Sequence, residues 1–166
     1  MIIEEVKGNA VSMFLRGEGH LIHGCNCFNS MGAGIAKEVK QRIKGAYQLD
    51  QKTKKGDSRK LGTNGVYTSP EGNYVFNAYT QFKFWGEKTE LVDYDAITSC
   101  FRNAAVHALL YADHQGLPII TPLIGAGLAG GDWVRIRELI DKATGEYPVI
   151  VVHYDPKAQD DEYLRN

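Results

Sequence analysis

The chain has 166 residues, 43% of them hydrophobic and 23% charged, which suits one domain with a buried core. Nineteen Lys and Arg against twenty Asp and Glu leave a net charge of −1, which argues against a general nucleic-acid binder with a basic face. No apolar run is long enough to span a bilayer and Met1-Ile2-Ile3-Glu4-Glu5 is not a signal peptide, so a cytoplasmic protein is expected.

Met1 to Lys7 reads as a first strand, closed by Gly8-Asn9, and Ala10 to Leu15 as a short helical piece. Leu21 to Cys25 is an apolar second strand. It runs through Asn26 into a glycine loop, Met31-Gly32-Ala33-Gly34-Ile35-Ala36. A helix follows from about Gly34 to Ile43, with Ile35, Val39 and Ile43 four residues apart. A second short helix is expected over Ala46 to Lys54, and Lys54 to Lys60 reads as a solvated connection. Gly65 to Ser69 and Asn73 to Tyr79 flank Pro70-Glu71-Gly72, turn chemistry that suits a hairpin.

Gln81 to Thr89 is a loop carrying Phe82, Phe84 and Trp85, either a flap packed on the domain or a wall for a ribose or base with Lys83 near phosphate. Tyr94 to about Tyr111 is the long helix; His107 within it and His114 beyond it receive no role. Pro118 to Ile124 is an apolar strand interrupted by Pro122. It opens into a second glycine loop, Gly125-Ala126-Gly127-Leu128-Ala129-Gly130-Gly131, after which Asp132 can cap a helix to about Thr144. Pro148 to His153 is the last strand, and the polar end of the chain is expected to fray.

Alternating strands and helices predict an α/β domain with a mixed, mostly parallel sheet, whose ligands bind beyond the carboxyl ends of the strands. Both glycine loops fall there. A strand, a glycine turn and a helix start present bare backbone N–H groups and the positive end of a helix dipole, which suits phosphate. Two such loops suit a diphosphate held from both sides. The second loop also fits G-x-G-x-x-G, with Asp155 after the next strand, as in a dinucleotide fold. That fold places the loop in its first βα unit, however, and here it lies in the last.

Beside the loops, His23 is either a structural histidine or an acid, base or nucleophile, and Asn26 either a turn former or a ribose contact. Asp132 is either a helix cap or a carboxylate that positions water, and Tyr154 can stack on an adenine. The three cysteines, Cys25, Cys27 and Cys100, make no disulfide framework. Cys25-x-Cys27 lacks a second ligand pair, so neither metal nor cofactor is expected.

The blocks Val6-Lys7-Gly8-Asn9, His23-Gly24-Cys25-Asn26 with Gly32-Ala33-Gly34-Ile35-Ala36, and Pro122-Leu123-Ile124-Gly125-Ala126-Gly127-Leu128-Ala129-Gly130 together resemble the macrodomain family, in order and separation, over almost the whole chain. The resemblance implies a three-layer α/β/α fold over residues 1–155, a polar tail over 156–166, and an ADP-ribose cleft at the strand ends. It places Asn9, where the family commonly has Asp, at the adenine. Asn26 and Gly32 to Ile35 fall at the distal ribose and diphosphate, and Gly125 to Gly130 at the second diphosphate loop.

The block His23-Gly24-Cys25-Asn26-Cys27 with Gly34-Ile35-Ala36 looks most like the ADP-ribose-1″-phosphate phosphatase branch, and Gly125 to Trp133 also resembles the terminal ADP-ribose glycohydrolase branch. The Lys and Asp used by that hydrolase are matched here by Gln81 and Ala129, so its lysine adduct does not carry over; Lys83 and Asp132 are near enough to stand in. The expectation is a monomeric ADP-ribose-binding enzyme that removes the terminal phosphate of ADP-ribose-1″-phosphate, with His23 and Asp132 catalytic. The alternatives are a hydrolase releasing ADP-ribose from protein or nucleic acid or deacylating O-acetyl-ADP-ribose, and a reader that binds without turnover.

Overall fold

Period-two burial along the strands sorts the side chains into two cores, one on each side of a central sheet. Ile22, Tyr74, Phe76, Ala78, Ile119 and Val149 face one side, while Leu21, Val75, Tyr79, Ile120 and Val152 face the other. The computed structural model describes residues 1–86, 90–111 and 116–159. The strands are β1 (Ile2–Gly8), β2 (His20–Asn26), β3 (Asn64–Thr68), β4 (Tyr74–Gln81), β5 (Ile119–Thr121) and β6 (Val149–Tyr154). They form one six-stranded sheet in the order β1-β6-β5-β2-β4-β3. Every neighbouring pair is parallel except β3 with β4.

The helices are α1 (Ala10–Leu15), α2 (Gly34–Arg42), α3 (Lys44–Gln51), α4 (Tyr94–Tyr111) and α5 (Trp133–Ala143). Buried residues of α1, α2 and α3 (Val11, Phe14, Val39, Ala46) join the core on one face. Those of α4 and α5 (Ile97, Phe101, Ile136, Ile140) join the core on the other. The result is the expected three-layer α/β/α arrangement with a mixed, mostly parallel sheet.

The structure differs locally from the sequence reading in three places. The strand expected over Pro118 to Ile124 pairs only over Ile119–Thr121, because Pro122 has no N–H to give the ladder. The expected solvated connection contains a 3-10 turn, Ser58–Lys60, capped by the Asp57 side chain on the Arg59 N–H. Lys60 leaves solvent there: its Nζ donates to Asn29 Oδ1 at 2.7 Å and to Thr53 Oγ1 at 3.0 Å. In the expected tail, Pro156–Gln159 forms a further 3-10 turn, while residues 160–166 lie outside the described residues, as do His114 and the end of the aromatic loop at 87–89. The expected hairpin turn forms, with Ser69 donating its N–H to the Asn73 carbonyl and Gly72 at φ +93°.

Candidate functional site

The carboxyl ends of all five parallel strands converge on one groove. Asn9 follows β1, Tyr154 ends β6, Pro122 follows β5, Asn26 ends β2 and Gln81 ends β4, and all of them line it. The groove has two lobes. One, of about 510 Å³, is lined by Asn26, Ser30, the first loop, Thr80, Gln81 and most of the second loop. The other, of about 590 Å³, runs between Asn9, Glu38, Val152 and Tyr154. Gly34, Ile35 and Pro122 border both lobes, which makes them one continuous cleft.

The first loop ends in the N-terminus of α2. Gly34 sits at φ +57°, and Ala33 at the cap position supplies no side-chain acceptor. Lys37 is the first residue to donate back into the helix, to the Ala33 carbonyl at 3.3 Å. The N–H groups of Gly34, Ile35 and Ala36 therefore have no partner among the described residues and stand at the positive end of the dipole, at the junction of the lobes. Asn26 holds the start of this loop. Its Oδ1 accepts from the Phe28 N–H at 2.9 Å and its Nδ2 donates to the Ser30 carbonyl at 2.8 Å. One donor hydrogen and one lone pair remain on the amide.

The second loop is a folded turn. Gly125, at φ +75°, accepts from the Gly131 N–H at 2.7 Å, and Gly130 donates to the Gly127 carbonyl at 3.0 Å. Leu91 and Val92 both donate to the Ala129 carbonyl, at 2.7 and 3.3 Å, and so clamp the loop from outside. The N–H groups of Gly127, Leu128 and Ala129 have no partner among the described residues, and these three residues line the cleft. Ala126 and Gly130 do not line it: Ala126 packs toward the α4–α5 core, and Gly130 turns the chain at φ +71°.

Among the described residues lining the Asn26 lobe, no side chain is titratable: the polar ones are Asn26, Ser30, Thr80 and Gln81. Both residues expected to be catalytic lie elsewhere. His23 is fully buried beneath the cleft and does not line it. Strand alternation explains this: in β2, Gly24 faces the cleft while His23 turns toward α3. Its Nε2 lies 2.7 Å from Asn77 Oδ1, and burial pulls its pKa down to about 4. Asp132 is exposed and caps α5, with Oδ1 accepting from the Val134 N–H at 3.0 Å. Lys83 does not line the cleft either.

Asn9 is 2% exposed and has two local partners: Oδ1 caps α1 through the Ser12 N–H at 2.9 Å, and Nδ2 donates to Glu38 Oε1 at 2.8 Å. Tyr154, 65% exposed, stands across the same lobe with a free ring. The sequence reading missed Ser30, Thr80 and Leu91 as cleft residues. The signal for Thr80 was present: it lies at the carboxyl end of the strand that pairs with β2. Cys25, Cys27 and Cys100 are buried and free, and no cluster of metal-binding side chains occurs among the described residues. No helix among them is long and apolar enough to cross a membrane.

No protein-family model matches this sequence. An uncharacterized 17.5 kDa protein of the tk-vs intergenic region of Enterobacteria phage T4 is 29% identical over 167 residues, covering 94% of this chain and 99% of that one. A solved protein from Bacteroides thetaiotaomicron superposes with a TM-score of 0.75 at 24% identity, over 91% of this chain and 99% of that one. The macrodomain of Thermus aquaticus DarG superposes with a TM-score of 0.67 at 22% identity, over 94% and 99% of the two chains. Thermosipho africanus DarTG, solved in complex with ADP-ribose, does so with a TM-score of 0.65 at 17% identity, over 85% of this chain and 39% of that one. The fold of this chain is the macrodomain fold.

Proposed function

We propose that this protein binds ADP-ribose in the continuous cleft. The observation that carries the reading is the pair of facing glycine loops with unpartnered N–H groups, at Gly34 to Ala36 and at Gly127 to Ala129, between a lobe bordered by Tyr154 and a lobe bordered by Asn26. A diphosphate between the loops takes its hydrogen bonds from backbone amides and the α2 dipole without a cationic side chain. The adenosine end lies along Asn9 and Tyr154, and the distal ribose lies by Asn26. The ADP-ribose held by the Thermosipho neighbour supports the same occupant.

Calorimetric titration with ADP-ribose tests this reading. An added Cβ at Gly127 meets no atom within 4 Å, so Gly127→Glu leaves the fold intact and places a carboxylate at the diphosphate. A loss of at least about tenfold in affinity is expected, from one like-charge contact in a partly desolvated site. Unchanged affinity in the folded variant refutes the assignment.

Hydrolysis of ADP-ribose-1″-phosphate is the finer reading, and none of the described residues lining the Asn26 lobe is titratable. His23 and Asp132 take no part. The free valences of Asn26 orient a water for attack on phosphorus, the P–O bond to C1″ breaks, and the water's proton passes to the departing 1″ oxygen, while backbone N–H groups stabilise the charge on the phosphoryl oxygens. Phosphate release that is lost in Asn26→Ala and retained in a folded His23→Gln variant is the expected pattern; release abolished by His23→Gln alone overturns it.

A further inference from the structure

Asn9, expected at the adenine, is poorly placed to read it. The residue is 2% exposed, and its Oδ1 already accepts the Ser12 N–H at the start of α1, at 2.9 Å. Its Nδ2 is a donor, and gives one hydrogen to Glu38 Oε1 at 2.8 Å. The 6-amino group of adenine is a donor as well. It needs an acceptor, and the acceptor of Asn9 is committed to a helix cap.

Glu38 supplies one. It stands one turn into α2, on the helix face that also brings Gly34, Ile35 and Gln41 into the Tyr154 lobe. Among the described residues lining that lobe it is the sole carboxylate. Two donors converge on its Oε1: Asn9 Nδ2, and Arg42 Nη1 at 2.8 Å. The same Arg42 nitrogen donates to the Ser12 hydroxyl at 2.9 Å, so the guanidinium is itself fixed against α1. A carboxylate offers about four acceptor sites, so two donors on one oxygen orient it without exhausting it. The Glu38 side chain is 18% exposed, and a charge so placed is only partly screened by water.

We propose that Glu38 selects the nucleobase by accepting a hydrogen bond from the 6-amino group of adenine, and that Arg42 is the positioning residue that aims its carboxylate. Ile35, Val152 and the exposed ring of Tyr154 line the same lobe and offer apolar surface to the flat of the base. Apolar contact alone distinguishes one purine from another poorly. A charged acceptor opposite an amine does so sharply, because a base without the amine leaves the carboxylate desolvated and unpaired. The proposal rests on the cleft reading above and adds to it the residue that reads the base.

Calorimetry with two ligands tests it: ADP-ribose, and the analogue carrying purine in place of adenine, which lacks only the amine. The wild type is expected to bind ADP-ribose about tenfold more tightly than the analogue, the effect of one hydrogen bond to a charged group. In Glu38→Ala the ratio is expected to fall below about twofold, through lost affinity for ADP-ribose. The analogue is expected to bind that variant as it binds the wild type, which also reports that the variant folds. Glu38→Gln keeps an acceptor for Asn9 and Arg42 but loses the charge, and its ratio is expected to lie between the two. Arg42→Met is expected to lower the ratio with Glu38 still in place, an effect that a merely structural arginine would not have.

A ratio that stays near its wild-type value in Glu38→Ala and Glu38→Gln overturns the proposal and leaves the cleft reading standing. So does a wild type that binds the two ligands alike. An unchanged ratio in Arg42→Met overturns the positioning role. A wild type that binds neither ligand sinks the cleft reading and the proposal together.

Discussion

His23 and Asn77 face each other across β2 and β4, with His23 Nε2 2.7 Å from Asn77 Oδ1, and Asn77 Nδ2 donates onward to the Ala46 carbonyl of α3 at 2.9 Å. The histidine is thereby the buried tie between two central strands and a helix. In this arrangement Nε2 donates, and the ring is neutral. Burial lowers its pKa from 6.5 to about 4, with the Asn77 bond opposing only in part.

That shift sets a pH dependence. The unfolded chain takes up a proton near 6.5 and the folded chain only near 4. The contribution of His23 is therefore present above pH 6.5 and is lost as pH falls from 6.5 to 4, by up to about 3 kcal/mol. Asp50 acts in the opposite sense, because burial raises its carboxyl pKa. The difference in melting temperature between wild type and His23→Gln, followed from pH 7 to 4, isolates the histidine. It is expected to narrow toward pH 4; a difference independent of pH counts against a neutral buried His23.

Asp132 is expected to behave as a cap alone. Asp132→Ala removes the acceptor for the Val134 N–H and should cost about 1 kcal/mol of stability. Denaturant melts should show that loss while ADP-ribose affinity and phosphate release stay at wild-type values. A collapse of turnover in a folded variant would return Asp132 to the chemistry.

The second loop depends on the smallness of Gly131. An added Cβ there would lie 2.6 Å from the Gly125 carbonyl oxygen and 2.6 Å from Val92 Cγ1. Backbone cannot swing aside as a flexible side chain does, so Gly131→Ala should cost about 1–3 kcal/mol. The loop it deforms carries the cleft N–H groups, so ADP-ribose affinity should fall as well. Wild-type melting and affinity together would show that the loop does not need this close approach.

The cysteines are expected to be silent in the native protein. Cys25, Cys27 and Cys100 are all buried, and burial raises each thiol pKa, that of Cys100 to about 12. Iodoacetamide at pH 8 should label none of them until the chain is unfolded in guanidinium, as read by mass spectrometry. Rapid native labelling of Cys27 would mean that the first loop opens.

The sequence by itself determined the fold class and the location of the two glycine loops that line the cleft. Glycines cannot be hidden from a reader of sequence when they punctuate strand-to-helix junctions, and the apolar runs and the spacing of Ile35, Val39 and Ile43 followed from local periodicity. Asn26 and Tyr154 were legible because each stands at the end of a strand, where parallel α/β sheets bind ligands, and Asn9 through the resemblance of the Val6-Lys7-Gly8-Asn9 block.

Which side chains reach the cleft was decided only by tertiary structure. A one-residue step in β2 reverses the facing, so His23 enters the core while Gly24 faces the ligand lobe, and sequence position alone does not say which layer covers which face. Thr80 and Leu91 came to the site through strand pairing and a clamp on the Ala129 carbonyl, both long-range relations. The charges tell the same story: the lysines were countable in the sequence, but only the fold engages Glu38, Asp50 and Asp57 locally and sets Lys40 and Lys55 in one groove with Trp85.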